Sequence, residues 1–270
     1  MSYSNNHFKT KQIGINNFIS ALKKAISPLM RDIDELDLLR LSSKSSFVKK
    51  SLSRTKEILH QELDKNTNVV FLDEVASPAP MDNTVLVLPI DNMENFARSL
   101  PFGMLLIYYE LMLDALEPKL IILALPALRH MIYSHQNKGV YYENNYGQLS
   151  PIRNQYKNSI RTYSNSTGNT VSSRTLSLKD LNVGVFNAHD TLRYSMYMAL
   201  LKEHNINHSA IHHNGSDVYS LFMFLRGKYD FMIQENNDYI AQHGYNSLVA
   251  SAGKLNTVLD NTLLRIYRHH

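Results

Sequence analysis

The sequence predicts a mixed α/β protein, and three patterns support this. Apolar residues recur at helical spacing over residues 13–41, and short apolar runs bounded by turn residues follow from residue 69 onward. From residue 182, strand-like and helix-like segments alternate again. Such alternation is typical of sheets covered by helices. The length of 270 residues suits one large domain or two fused subdomains.

The individual elements are predicted from periodicity, in chain order. The first helix covers residues 13–41, with a kink or break at Pro28. A second helix covers residues 54–63, with Ser53 as its N-cap. Strands are predicted over residues 69–72, 85–87, 102–109, 119–124, 130–134 and 182–186, and further helices over residues 191–204 and 217–226.

Composition excludes several classes of protein. With no cysteine there is no disulfide framework and no thiolate metal site, which agrees with a reducing compartment. The polar start lacks a secretory signal, and charges interrupt every long apolar stretch, so no membrane span is predicted and we expect a soluble cytoplasmic protein. The formal net charge is +4, but the basic residues are spread along the chain, which argues against a dedicated nucleic-acid groove.

The stretch at residues 84–109 carries the clearest motif. A branched apolar strand leads into LPIDNMENF at residues 88–96, and Pro101-Phe102 and a second apolar run follow. This resembles the inositol monophosphatases and their sugar-phosphatase relatives, in which a strand ends in Asp-Pro-Leu/Ile-Asp-Gly-Thr-x-Asn-Phe. The resemblance implies a layered αβαβα fold. It also implies an N-terminal α+β subdomain at 1–143 and a C-terminal α/β subdomain at 178–270. Between them, the composition of residues 144–177, rich in Asn, Ser, Thr, Tyr and Arg, predicts a polar surface loop or partly disordered linker.

The resemblance further implies a Mg²⁺ site formed by acids at two strand ends. Asp73 and Asp91 fall on metal-ligand positions, and Glu74 falls on the position of a water-positioning glutamate, so Glu74 and Asp91 are the expected catalytic residues. Asp238 becomes a third metal ligand if its loop is shifted by several residues. An acidic pair such as Asp73-Glu74 is also typical of an ordinary solvated turn.

Other acidic positions of the family pattern are replaced in this chain. The replacing residues are Ser46, Leu52, Leu88 and Ala241. The segment 41–52 lies where the family has a short strand and turn. Because hard cations need several oxygen ligands, we expect at most weak binding of Mg²⁺. A rival histidine cluster, His204, His208 and His212, is spaced for one helix face, but ordinary surface histidines are the favoured interpretation, because Asn207 and Gly215 argue against a continuous helix.

Substrate-contacting positions are implied in the same way. Asn92 and Met93 stand where the family has the Gly-Thr pair that receives phosphate, and Gly215 and Ser216 match its Gly-Ser/Thr helix start. Gln234 stands where a substrate-contacting glutamate often lies.

These replacements lead to two hypotheses of different classes. The first is a protein with weak or no phosphatase activity that acts in binding or regulation, as some members of the extragenic-suppressor (SuhB) branch act through partners. The second is an active Mg²⁺-dependent phosphomonoesterase on inositol or sugar phosphates with a rearranged site. We expect a homodimer, with a regulatory protein or a phosphorylated small molecule as partner. Nucleic-acid binding through the basic, tyrosine-bearing loop is a third, weaker hypothesis.

Overall fold

The structure of the chain is a computed structural model. Its first two described elements are long helices. Helix α1 spans Ile15–Leu36, and Pro28 is buried inside it without ending it. Helix α2 spans Leu41–Leu63. The strand and turn predicted over residues 41–52 are therefore wrong.

Ser53 lies inside helix α2 and is not its N-cap, which corrects a second prediction. Its hydroxyl donates to the carbonyl of Lys49, one turn earlier, at 3.0 Å. Ser51 and Thr55 make the same kind of bond, to Phe47 and Ser51 respectively. Hydroxyls bonded in this way leave the helical backbone intact, so a serine-rich sequence of low apolar content still forms a continuous helix.

The structure describes residues 14–39, 41–65, 67–74, 81–112, 115–135, 139–144, 147, 149–151, 183–185, 211–212, 215–226, 228, 231–235, 257–260 and 263–265. Within these ranges, no helix is both long enough and apolar enough to cross a bilayer.

A seven-stranded sheet forms the centre of the first part of the chain, with its strands in sequence order. Its strands are β1 (Asn68–Phe71), β2 (Thr84–Leu88), β3 (Met104–Met112), β4 (Ala115–Leu125), β5 (His130–His135), β6 (Gly139–Glu143) and β7 (Leu149–Pro151). Strands β1 and β2 are parallel, and each later pair is antiparallel. The short helix α3 (Met93–Ala97) joins β2 to β3, and a 3-10 turn (Pro126–Leu128) joins β4 to β5.

Strand β7 lies where a surface loop was predicted over residues 144–177. Its residues pair with β6 and so extend the first sheet by one strand. These three residues form a strand inside the predicted loop, and the domain boundaries, including the loop at 144–177, stay predictions.

A second, five-stranded sheet is formed by the later part of the chain, in the order β12-β11-β10-β8-β9. Its strands are β8 (Val183–Val185), β9 (Ile211–His212), β10 (Phe231–Glu235), β11 (Thr257–Asp260) and β12 (Leu263–Arg265), and helix α4 (Asp217–Leu225) follows β9. The predicted strand at 182–186 and helix at 217–226 are confirmed. The helix predicted over residues 191–204 lies outside the described residues.

The first sheet buries both of its faces, because side chains alternate along each strand. Val85, Val87 and Leu106 belong to the apolar cluster shared with α1 and α2. Leu86 and Leu105 belong to a second cluster shared with α4. Helix α4 contacts β4 of the first sheet and β8 and β10 of the second, so it lies between the two sheets. The layered, mixed α/β fold that was predicted is confirmed.

This topology brings together the segments that carry the candidate site. Since β1 and β2 are parallel, their carboxyl ends lie at one edge of the sheet, and antiparallel β3 begins at that same edge. The N-terminus of α4 packs there too, where Val218 meets the start of β3.

Candidate functional site

The first part of the candidate site is the corner after β2. Asn92 ends the extended chain and caps α3, since its side-chain oxygen accepts from the backbone N–H of Asn95 at 2.8 Å. Asn95 is itself buried, and its side-chain amide donates to the carbonyl of Pro101 at 2.6 Å. Asn92 and Asn95 therefore each make a side-chain hydrogen bond with the backbone of this corner.

Asp91 is the centre of this corner, and both of its carboxylate oxygens accept hydrogen bonds from the protein. Oδ1 accepts from the backbone N–H of Gly103 at 2.8 Å. Oδ2 accepts from the Ser216 hydroxyl at 2.5 Å and from the backbone N–H of Val218 at 2.9 Å. The Asp91 N–H in turn donates to the carbonyl of Gly103 at 3.0 Å. Asp91 thus joins β3 to the N-terminus of α4.

Burial governs the electrostatics of Asp91. The residue as a whole is half-buried, but its carboxylate lies deep among the groups that bind it. Burial raises the pKa of the Asp91 carboxyl above its ordinary value, because removing the charge from water disfavours the ionised form. The hydrogen bonds from Gly103, Ser216 and Val218 oppose that rise without cancelling it.

Two glycines make this close packing feasible. Gly215 has φ +72°, and a Cβ atom there would lie 3.3 Å from side-chain atoms of both Asn92 and Asn95. The Asn92 side-chain amide donates to the Gly215 carbonyl at 2.5 Å. At Gly103 a Cβ atom would lie 2.3 Å from the Val218 side chain, so only glycine lets α4 approach β3 this closely.

Ser216 is the N-cap of α4 and is only 1% exposed. Its oxygen accepts from the backbone N–H of Tyr219 at 3.0 Å while its hydroxyl donates to Asp91. A serine beside a carboxylate resembles an activated nucleophile. Here the pair is enclosed and serves helix capping, since a substrate has no access to so buried a hydroxyl.

The second part of the candidate site is the end of β1, where a lysine of α2 holds both acids. Lys56 Nζ lies 2.5 Å from an Asp73 carboxylate oxygen and 2.6 Å from one of Glu74. The ammonium group also lies 5.3 Å from the centre of the Phe71 ring. Burial lowers the pKa of Lys56, but the hydrogen bonds and negative charges of Asp73 and Glu74 outweigh it, so the pKa is raised.

The structure brings some of the predicted site residues together and not others. Asp91, Asn92, Gly215 and Ser216 form one contact cluster, as the hydrogen bonds above show. Met93 begins α3 and packs against the apolar cluster of α1 and α2. Gln234 lies in β10, and the structure describes its backbone only.

The remaining predicted residues are placed as follows. Ser46 is exposed on α2, Leu52 is half-buried on the same helix, and Leu88 ends β2. Asp238 and Ala241 lie outside the described residues, as do His204 and His208 of the histidine cluster, and His212 lies in β9. The predicted catalytic and metal roles of Asp73, Glu74 and Asp91 stay predictions.

The described residues fit a pair of divalent ions poorly. Mg²⁺ needs oxygen ligands in near-octahedral array, with lone pairs aimed at the ion. The oxygens of Asp91 are aimed at three protein donors, those of Asp73 and Glu74 are bound to an ammonium group, and Leu88 offers no ligand. In the described part of the chain, no three acidic or histidine side chains are grouped as an ion site.

Two contacts in the site were missed by sequence reasoning. Lys56 is separated from Glu74 by 18 residues and carries no motif, so no sequence signal marked it. Gly103 directly follows the Pro101-Phe102 pair, and its requirement for a hydrogen atom in place of Cβ was not foreseen. Ser216 was placed at a helix start by its match to the family's Gly-Ser/Thr pattern, and the structure has it as the N-cap of α4.

Solved structures of known proteins share this architecture. The structure of the extragenic suppressor protein suhB from Bartonella henselae matches with a TM-score of 0.60 and 16% identity, over 88% of this chain and 84% of that chain. Inositol monophosphatase II from Staphylococcus aureus MSSA476 matches with a TM-score of 0.58 and 11% identity, over 87% and 79%. SuhB from Mycobacterium tuberculosis matches with a TM-score of 0.56 and 14% identity, over 87% and 82%.

No family model and no curated protein matches the sequence. At the identities of the structural matches, the likeness shows the fold alone. The chain has the inositol monophosphatase-like fold.

Proposed function

We propose that this chain, built on the inositol monophosphatase-like fold, is a binding or regulatory protein with weak or no phosphatase activity. The observation that carries the proposal is the engagement of Asp91. Its two oxygens accept from Gly103, Ser216 and Val218, so the carboxylate that matches the family motif is bound to the N-terminus of α4 and to the start of β3.

The chemistry of phosphoryl transfer supports this proposal. The reaction depends almost entirely on cations and donors that neutralise charge on the phosphate oxygens. At the end of β1 the positive charge is an ammonium group that already binds Asp73 and Glu74, and Leu88 replaces a carboxylate at the end of β2. An ion held by fewer carboxylates would bind weakly and stabilise the transition state less.

A phosphate-release assay tests the proposal on the full chain. Inositol monophosphate and p-nitrophenyl phosphate are incubated with the protein and Mg²⁺ or Mn²⁺, and inorganic phosphate is measured. We expect no release above the protein-free rate. The same assay is run on Asp73→Asn and Asp91→Asn, with Asp64→Asn as the control, because Asp64 is an exposed acid at the end of α2.

The alternative is the active Mg²⁺-dependent phosphomonoesterase with a rearranged site. It predicts metal-dependent turnover that Asp73→Asn or Asp91→Asn abolishes and Asp64→Asn leaves intact. That result would end the proposal of a weak or inactive enzyme. Turnover that survives in all three variants would contradict it equally, since the activity would then come from another part of the chain.

The proposal also covers the location, oligomeric state and partners of the protein. We place the protein in the cytoplasm as a homodimer that acts through a protein partner or a phosphorylated small molecule, with Mg²⁺ bound weakly at most. Analytical ultracentrifugation tests the dimer directly: a single monomeric species at micromolar concentration would contradict it.

A further inference from the structure

A cleft lies between α1 and the ends of β5 and β6, away from the corner of Asp91. Its volume is about 550 Å³, which is within the range of small-molecule sites. Met131, which lines it, faces the α1 side of the first sheet, whereas α4 covers the opposite side. The cleft is therefore separate from the Asp91–Ser216 contact.

The floor of the cleft is apolar and its rim is charged. Ile26, Met30 and Met131 form the floor, and Ile26 and Met131 are buried. Three cationic side chains and one acid lie on the rim, and a second acid is buried beside them. The rim residues are Lys23, Arg31, Arg129 and Asp34, and the buried acid is Glu143. An apolar body and a charged head group are thus accommodated side by side.

The charges on the rim are unequally paired. Glu143 has a side chain only 9% exposed, and Lys23 Nζ binds it at 2.5 Å, so the one enclosed acid is already neutralised. Arg31 and Arg129 are exposed and form no ion pair with any other described residue. Asp34 is exposed on α1, where water screens its charge. Two guanidinium groups are therefore left to bind an anion.

The backbone at Arg129 adds an independent observation. Arg129 closes the 3-10 turn with φ +54°, a left-handed conformation that L side chains rarely adopt. Its N–H donates to the carbonyl of Pro126 at 2.9 Å, which holds the turn in place. Glycine would adopt this conformation without strain, so the presence of arginine at a strained position on the rim favours a role for its side chain.

We infer that this cleft binds a small phosphomonoester or phosphonate, with the anionic head on Arg31 and Arg129 and an apolar body on Ile26, Met30 and Met131. Guanidinium groups bind tetrahedral oxyanions through paired N–H donors, which suits a phosphate dianion. The site goes beyond the proposed function and does not depend on it, because no residue of the cleft belongs to the Asp91 corner.

Calorimetric titration of the full chain with phenylphosphonate tests the inference, because this probe is not a phosphate ester and no phosphatase can hydrolyse it. We expect phenylphosphonate to bind about tenfold more tightly than inorganic phosphate, since only the former reaches the apolar floor. Arg129→Gly and Arg31→Gln are each expected to weaken binding about tenfold, the loss of a charge-assisted contact. Lys24→Gln is the control, since Lys24 lies on the same helix but binds Glu62 at 2.7 Å.

Arg129→Gly also separates binding from folding. Because glycine suits the left-handed turn, we expect the variant to unfold at a temperature no lower than the wild type while it loses affinity. Absence of heat with millimolar phenylphosphonate would overturn the inference. Equal binding of phenylphosphonate by the wild type, Arg129→Gly and Arg31→Gln would overturn it as well. The presence or absence of phosphatase activity bears only on the proposed function.

Discussion

Two acidic strand ends lie side by side in this fold, and they neutralise their carboxylates in different ways. At the end of β2, Asp91 is enclosed and its charge is met by backbone N–H groups and a serine hydroxyl. At the end of β1, Asp73 and Glu74 are exposed and their charge is met by the ammonium group of one side chain, Lys56. Asp91 is therefore fixed by the fold itself, whereas Asp73 and Glu74 are held by a contact that substitution of Lys56 alone would remove.

The largest effect is expected for Asp91→Ala. The change leaves the buried donors of Gly103, Ser216 and Val218 without an acceptor, and we expect it to lower the free energy of unfolding by about 3–5 kcal/mol. Asp73→Ala is the matched change at the other strand end and should cost less than about 1 kcal/mol. Denaturant unfolding measures both. Equal losses in the free energy of unfolding for the two variants would show that the acids at the ends of β1 and β2 contribute equally to stability.

A smaller effect is expected for Ser216→Ala, which removes the N-cap of α4 and one donor to Asp91. We expect a loss of about 1–2 kcal/mol in the free energy of unfolding. Ser220→Ala is the control: this buried hydroxyl donates only to the Ser216 carbonyl one turn earlier, a bond that the helix does not need. A loss for Ser220→Ala as large as that for Ser216→Ala would show that general packing, and not the cap, stabilises this helix start.

The contact at the end of β1 is tested by Lys56→Met. Removing the ammonium group leaves Asp73 and Glu74 unpaired, so a divalent cation gains two free carboxylates there. We expect the affinity for Mn²⁺ to rise about tenfold, equivalent to about 1.4 kcal/mol. Titration calorimetry measures it, with Lys24→Met as the control lysine. An unchanged affinity would mean that Lys56 does not compete with a cation.

The smallest effect is a dependence of stability on pH. Burial raises the pKa of Asp91, so the folded chain holds that proton more tightly than the unfolded chain. The resulting stability is fully present below the unfolded pKa, near 3.8, and is lost as pH rises through the folded pKa. The cost of Asp91→Asn in the free energy of unfolding should therefore shrink as pH rises from below 3.8 through the folded pKa.

Unfolding of the wild type and Asp91→Asn at a series of pH values provides the measurement. A cost that grows as pH rises would mean that the folded pKa of Asp91 lies below the unfolded one. The same direction is expected at Lys56, but at much higher pH. Its raised pKa gives stability that is present below 10.5 and lost only at higher pH.

Periodicity and turn chemistry allowed much of the fold to be predicted from sequence. Branched apolar runs placed β2 to β5, and the match to the family's Gly-Ser/Thr helix start placed α4. Helix α2 was predicted too short because its serine-rich first half lacks the apolar periodicity by which a helix is recognised. The hydrogen bonds of its serine hydroxyls to backbone carbonyls cannot be read from the sequence. Strands β7, β11 and β12 were not predicted, since strands of three or four residues carry too little pattern.

The residues of the candidate site were found more readily than their contacts. The family motif marked Asp91 and Ser216, but a separation of 125 residues hides the hydrogen bond that joins them. The family motif predicted that Asp91 is a metal ligand. Which groups its oxygens contact depends instead on how closely α4 packs on Gly103, and a sequence does not show that distance. Lys56 was missed for the same reason, because an ion pair between a helix and a strand end depends on tertiary packing alone.

The most direct test of this account is diffraction from crystals of the full chain soaked in manganese chloride, with anomalous data collected at the manganese edge. We predict no manganese at Asp91, with Ser216 Oγ and Val218 N within hydrogen-bond distance of its carboxylate. An anomalous peak about 2.1 Å from an Asp91 oxygen, with Ser216 and Val218 moved away, would contradict it.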